Sequence, residues 1–380
     1  MIGSCRKAVV GLCLLATMAA PAFALQPPLN QALNEEIATI PYEGAVTLET
    51  TIFKPDGPGP FPLVVINHGK DPGNPALQAR ARHFAASREF VRRGYAVVLP
   101  MRAGFSKSGG SFVDTGCDIA ENGRIQAGYV RAAIDHMKSR PYVDARRIVV
   151  VGQSHGGLTT MALGTVPVAG VLGLVNFAGG LKVGSCPDWP ARLTRAFGDY
   201  GSGARLPSVW FYGDNDSLFP IGLARDMVQR YSQAGGNARL VAFGRFKNDA
   251  HQAFGDLAGL DIWWPETEKF LKDLGLPTAL LPTAPAGGDA ELRRLTDTAA
   301  LPHLHPACRR LYEKFADFDL PRAFAISEEG ACGYAAGIDD SKKTALEHCA
   351  ATGAACKLYA VDMAVVWRQA PGVPGISAVQ

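Results

Sequence analysis

Short apolar runs alternate with amphipathic runs along the first three-quarters of the chain. Residues 61–67, 95–100, 147–151, 168–177, 207–212 and 238–243 are apolar at nearly every position, the pattern of strands buried on both faces. Residues 46–53 alternate instead and end at Lys54-Pro55-Asp56-Gly57-Pro58, a strand followed by a turn. Between these runs, residues 81–93, 120–139, 157–163, 221–234 and 264–274 carry helical spacing. Strand and helix in alternation predict an α/β domain over 25–275, with a mostly parallel central sheet and helices on both faces. Ligands of such sheets gather at the C-terminal strand ends.

The pattern breaks after residue 275. Residues 276–290 read as a linker, with Pro277, Pro282, Pro285, Gly287 and Gly288. Residues 291–368 form a small cysteine-bearing α+β module, with a helix expected over 342–351 and a strand over 357–367. Residues 369–380 read as a loose tail. No internal repeat is visible.

Composition sharpens this picture at the N-terminus and in the cysteines. At 47% hydrophobic and 19% charged, the chain has ample material for a core. A net charge of +3, two units of it from Arg6 and Lys7, argues against a nucleic-acid partner or an anionic membrane surface. Arg6 and Lys7, the apolar stretch 8–20 and Ala22-Phe23-Ala24 together read as an export leader over 1–24. Its apolar stretch is too short for a stable membrane span. Six of the eight cysteines lie beyond it: Cys117, Cys186, Cys308, Cys332, Cys349 and Cys356. An even number in an exported chain predicts disulfides, with Cys117 paired to Cys186 and the other pairs open. No C-x-x-C spacing occurs, so no zinc site is expected, and the triad chemistry described next requires no metal or cofactor.

The chemistry centres on Gly152-Gln153-Ser154-His155-Gly156-Gly157, set between a strand and a helix-compatible run. Strand, Gly-x-Ser-x-Gly turn and helix together make a nucleophile elbow with Ser154 as nucleophile. A serine hydroxyl needs a base, and the base needs an acid that fixes its tautomer. The acid is expected after the strand at 207–212, in Gly213-Asp214-Asn215-Asp216-Ser217-Leu218-Phe219-Pro220. Asp216 is preferred to Asp214 because it falls in the turn before the helix that opens at Pro220. His251, in the loop after the 238–243 strand, completes the order serine, acid, histidine. Backbone amides of His155 and Lys70 are the expected oxyanion donors. His68 reads as a loop-shaping residue rather than a base. His303, His305 and His348 lie beyond the linker and read as solvated or structural.

These pieces resemble the α/β-hydrolase superfamily, in its dienelactone hydrolase-like and serine aminopeptidase-like branches. The resemblance covers the first 275 residues. It rests on Asn67-His68-Gly69, Met101 to Ser106, Pro141-Tyr142-Val143-Asp144 with Arg147-Ile148, the elbow, Gly213-x-x-Asp216-x-x-x-Pro220 and His251. True dienelactone hydrolases use cysteine as the nucleophile, so Ser154 turns the expectation toward a general ester or amide hydrolase. The C-terminal module is similar to small cysteine-bearing modules of exported bacterial proteins, which implies no mechanism. The reading is therefore a secreted or periplasmic serine hydrolase of carboxylic esters, working through an acyl-enzyme. A peptidase or amidase of the prolyl-oligopeptidase or aminopeptidase type is the alternative. A non-catalytic binding protein on the same scaffold is a third. The expected partner is a small-molecule ester or amide; the oligomeric state is open.

Overall fold

The computed structural model describes residues 29–282, 294–302, 304–315, 322–336, 340–351, 353–362 and 364–367. The expected leader, most of the expected linker, His303 and the tail lie outside the described residues. In chain order the first part comprises β1 (Glu36–Pro41), β2 (Thr47–Phe53), β3 (Phe61–Asn67), α1 (Phe84–Val91), β4 (Ala96–Pro100), α2 (Ile119–Lys138), β5 (Val143–Gln153) and α3 (His155–Leu163). It continues with β6 (Val171–Phe177), α4 (Trp189–Gly203), β7 (Pro207–Tyr212), α5 (Ile221–Gln233), β8 (Asn237–Ala242) and α6 (Leu260–Asp273). Eight strands form one sheet in the order β1-β2-β4-β3-β5-β6-β7-β8. The pairs β1–β2 and β2–β4 are antiparallel, and every pair from β4 through β3 to β8 is parallel.

The apolar runs of the central strands divide by parity. Val64, Ile66, Val97, Leu99, Val149, Val151, Val175, Val209 and Phe211 face one core with α1 and α6. Leu63, Val65, Ala96, Val98, Ile148, Val150, Leu174 and Trp210 face another with α2, α3, α4 and α5. Successive side chains of a strand point to opposite faces, so a strand covered on both sides must be apolar at every position. Each large side chain so buried contributes roughly 1.5–3 kcal/mol. Edge strand β1 is exposed at alternate positions, Ile37 among them, and so lacked the signal that marked its neighbours.

α4 lies in the span between β6 and β7, where the sequence pattern predicted no helix. Gly198, Gly201, Gly203 and Pro190 disguise it in the sequence. Pro190 sits in the first turn, where its missing N–H costs nothing. Leu193, Ala196, Phe197 and Tyr200 recur at helical spacing and are buried. A Cβ on Gly201 would stand 2.2 Å from the carbonyl oxygen of Tyr231, so the glycine lets α4 pack closely on α5. The disulfide Cys117–Cys186 ties the segment before α4 to the segment before α2.

The C-terminal part contains α7 (Pro306–Tyr312), β9 (Arg322–Ser327), β10 (Cys332–Ala336), α8 (Ser341–Ala350), β11 (Cys356–Val361) and β12 (Ala364–Val365). Its strands form an antiparallel sheet in the order β10-β9-β11-β12. Cys308–Cys332 and Cys349–Cys356 staple it. The expected single strand over 357–367 is two strands, because the chain turns back at Asp362, a non-glycine residue with φ 52°. Leu295, Leu301, Tyr312, Phe315, Phe324, Ile326 and Tyr359 belong to the same apolar cluster as Phe254, Trp263 and Phe270. The start of the expected linker is also seated: Tyr95 Oη donates to Pro277 O at 2.7 Å and Leu281 N–H to Arg92 O at 2.8 Å. No helix of the described residues is long and apolar enough to cross a membrane.

Candidate active site

Ser154 stands between β5 and α3 with φ 57° and ψ −124°, a conformation that costs a non-glycine residue energy and persists only when its surroundings enforce it. The enforcement is steric. A Cβ on Gly152 would lie 2.1 Å from the carbonyl oxygen of Gly156, and one on Gly156 2.0 Å from that of Asn67. Only glycine allows β3, β5 and α3 to meet this closely. The Ser154 amide donates to Phe177 O at 2.9 Å, and its carbonyl accepts from Gly180 N–H at 3.0 Å. The turn is thus bonded to β6 and to the loop beyond it.

Asp216 lies after β7 and His251 in a short 3-10 turn after β8. His251 Nδ1 is 3.0 Å from Asp216 Oδ2 and 3.2 Å from Oδ1. A carboxylate oxygen accepts, so Nδ1 is the nitrogen that donates to Asp216. Asp216 Oδ1 also accepts from the amides of Leu218 and Phe219, each at 2.8 Å, which fixes the carboxylate plane. Ser154, Asp216 and His251 are all buried. Asp214 is exposed, its amide bonded to Gly244 O. Gln153 Nε2 donates to His251 O at 3.2 Å, seating the histidine loop beside the elbow.

Two side chains that the sequence did not single out bind the acid loop to the histidine loop. Asp249 Oδ1 accepts from His251 N–H at 2.9 Å and Ser217 N–H at 3.0 Å, while Oδ2 accepts from Ser217 Oγ at 2.6 Å. Asn215 Nδ2 donates to Phe246 O and Lys247 O, and Asn215 Oδ1 accepts from Phe246 N–H. Burial works to raise the Asp249 pKa; hydrogen bonds from the Ser217 hydroxyl and the two amides outweigh it and hold the carboxyl below its ordinary value. Such residues resemble ordinary turn formers in sequence, so nothing marked them.

The third loop follows β3. A Cβ on Gly69 would stand 3.2 Å from Ser154 Cβ, so this loop abuts the nucleophile. The amides of Lys70 and His155 donate to no acceptor among the described residues. The Lys70 ammonium folds back onto Asp71 O at 3.1 Å and Gly73 O at 3.2 Å, over the ring of Phe112. It clamps its own loop. Phe219 lies 5.7 Å from the His251 ring, with Trp189 edge-on to it at 6.1 Å and Lys182 over Trp189. Aromatic rings therefore stand beside the histidine: Phe219 from the turn that carries Asp216, and Trp189 from the segment that Cys186 anchors. His305 caps α7 through Nδ1, and His348 Nδ1 meets Tyr334 O at 2.8 Å; both are exposed and remote from this cluster in sequence.

Strand order, elbow, acid after β7 and histidine after β8 now stand together. The chain has the α/β-hydrolase fold. The model of the prolyl oligopeptidase family matches residues 82–167, a stretch of the α/β domain that carries the elbow but neither Asp216 nor His251. No curated protein matches the chain. An esterase from Pyrococcus furiosus is similar at 16% identity and TM-score 0.47, over 65% of this chain and 96% of its own. A thermophilic esterase from Thermogutta terrifontis is similar at 20% identity and TM-score 0.44, over 66% of this chain and 98% of its own. Porphyromonas gingivalis dipeptidyl peptidase 4 is similar at 17% identity and TM-score 0.47, over 66% of this chain and 35% of its own.

Proposed function

We propose that this hydrolase cleaves carboxylic esters through an acyl-enzyme on Ser154. The observation that carries the reading is the buried Asp216–His251 pair, 3.0 Å apart, whose histidine loop is bonded to Gln153, the neighbour of a Ser154 held at positive φ. Ser154 Oγ attacks the acyl carbon while His251 Nε2 takes its proton. Asp216 orients the ring and stabilises its charged form. The amides of Lys70 and His155 receive the negative charge on the carbonyl oxygen. Collapse of the intermediate breaks the bond to the leaving oxygen, which takes the proton from His251. Water then repeats the sequence on the acyl-enzyme, with His251 again as base, and releases the acid.

The aromatic wall of Phe219 and Trp189, rimmed by Lys182, suits an apolar ester group better than a charged peptide N-terminus, which calls for an acid. The match to the prolyl oligopeptidase family favours a second reading, a peptidase or amidase with the same triad. The three disulfides fit an oxidising compartment, and we place the protein outside the cytosol, secreted or periplasmic. A fluorophosphonate probe should label the parent and leave Ser154→Ala unlabelled. Labelling that persists in Ser154→Ala removes Ser154 as the nucleophile, and a folded parent that does not label favours the non-catalytic reading. Short-chain aryl esters should be turned over faster than aminoacyl anilides; the reverse order establishes the peptidase reading.

A further inference from the structure

Arg102 follows β4 and is completely buried. Its guanidinium donates to Gln126 Oε1 at 2.7 Å and to His68 O at 2.8 Å, and Nη2 approaches His155 Nδ1 at 3.4 Å. One face rests 5.2 Å above the Phe105 ring. All of these acceptors are neutral, and no carboxylate pairs with Arg102 among the described residues. Burial drags the Arg102 pKa down to about 9, the mark of a cation poorly compensated where it stands.

The two histidines around it have their tautomers set by their neighbours. The Arg102 backbone N–H donates to His68 Nε2 at 3.2 Å, so His68 Nδ1 carries the proton and donates to Gly69 O at 2.6 Å. His155 Nε2 meets the Asn122 carbonyl oxygen at 2.7 Å, which makes Nε2 the donor and leaves Nδ1 to accept from the guanidinium. Burial first, and then the Arg102 charge, hold both imidazoles well below their ordinary pKa and therefore neutral.

This network reaches both amides assigned to the oxyanion. Gln78 Nε2 also donates to Gly69 O, at 3.3 Å. In a planar trans peptide the carbonyl and the following N–H point in opposite directions. Pinning Gly69 O toward His68 and Gln78 therefore turns the Lys70 N–H the other way. On the other side, Arg102 holds the side chain of His155, the residue whose amide is the second donor. We propose that Arg102 is the positioning residue of the oxyanion hole, joining its two halves through His68 and His155. In the same place it supplies a buried positive charge that the negative intermediate compensates and the neutral ester does not. Interactions stronger in the transition state than in the ground state raise kcat rather than lower KM.

This rests on the serine hydrolase reading, and the test separates the two. Gln126→Glu keeps shape and acceptor atom but pairs the guanidinium with a carboxylate. Gln126 Nε2 has no hydrogen-bond partner, so the exchange sacrifices no bond. The expected result is a kcat about tenfold lower at near-parental KM, part of the 10²–10³ that a direct oxyanion donor supplies. The inhibition constant of an alkylboronic acid, which forms a tetrahedral anion on the serine, should rise by the same factor. Arg102→Lys should fall between parent and Arg102→Met in both readouts. Parental kcat and boronate affinity in Gln126→Glu overturn the proposal, as does a loss confined to KM or thermal stability. Absence of fluorophosphonate labelling in the folded parent overturns the hydrolase reading itself.

Discussion

At the scale of single residues, the site depends on a few hydrogen bonds between loops that have no contact in sequence. Asp249 is the clearest example, since one carboxylate bonds both the Ser217 turn and the His251 turn. Asp249→Ala should lower kcat by about 10- to 100-fold, as for other groups that orient a reacting one, while the melting temperature stays close to the parent's. Parental kcat would remove Asp249 from the site. The pH dependence has a definite sign. A carboxyl whose folded pKa is depressed stabilises the fold above its unfolded pKa, about 3.9, and loses that contribution as pH falls through the lower folded value. The parent should therefore unlock these loops only below about pH 4. Ser154, Asp216 and His251 could be proposed from the sequence because residue type, order and position at strand ends all agree. Asp249, Asn215 and Arg102 could not. Aspartate and asparagine in turns, and an arginine in the loop after a strand, look alike whether they hold a catalytic loop or merely shape one.

At the scale of elements, the central strands and α2 were readable because burial on two faces, or on one, imposes its own period on the sequence. α2 shows it well: Asp118 accepts from Glu121 N–H at 3.0 Å as N-cap, and Ile119, Val130, Ile134 and Met137 line the buried side. α4 was missed because its glycines serve close packing on α5 and its proline serves the first turn; both count against a helix when read locally. The disulfide that anchors its entry carries a prediction. Cys117 and Cys186 are 69 residues apart, so by chain entropy the bridge stabilises the fold by on the order of 4 kcal/mol. The Cys117→Ser/Cys186→Ser pair should melt several degrees lower. It should also raise KM for aryl esters, because the aromatic wall that begins at Trp189 loses its tether. A parental melting curve in the double variant would show that packing alone holds this segment.

At the scale of the whole molecule, the α/β domain and the C-terminal module share an apolar cluster. Phe324, Ile326, Tyr359 and Leu295 complete the face that Trp263, Phe254 and Phe270 present beneath the sheet. A chain ending at Leu276 exposes that face, and patches of this kind drive association. It should aggregate, or melt well below the parent, whereas the full chain should unfold in a single transition by calorimetry. A soluble, fully active chain ending at Leu276 would show that the module is dispensable for packing. The proline- and glycine-rich stretch after residue 275 reads as a boundary because composition reports only the backbone. Whether two flanking units share a core is written in side chains far apart in the sequence.

The sequence by itself determined the class of fold, the places where its chain turns and the three residues proposed for the triad. Each follows from local constraints: the burial period of a strand, the steric demand of a tight turn, the order of loops at one sheet edge. Only the tertiary structure decided that Asp249 joins two of those loops, that Arg102 sits between His68 and His155 with no carboxylate partner among the described residues, and that the module shares an apolar cluster with the α/β domain. These are relations between segments tens of residues apart. The chemistry of a side chain there is set by what folding brings against it, which no local pattern records.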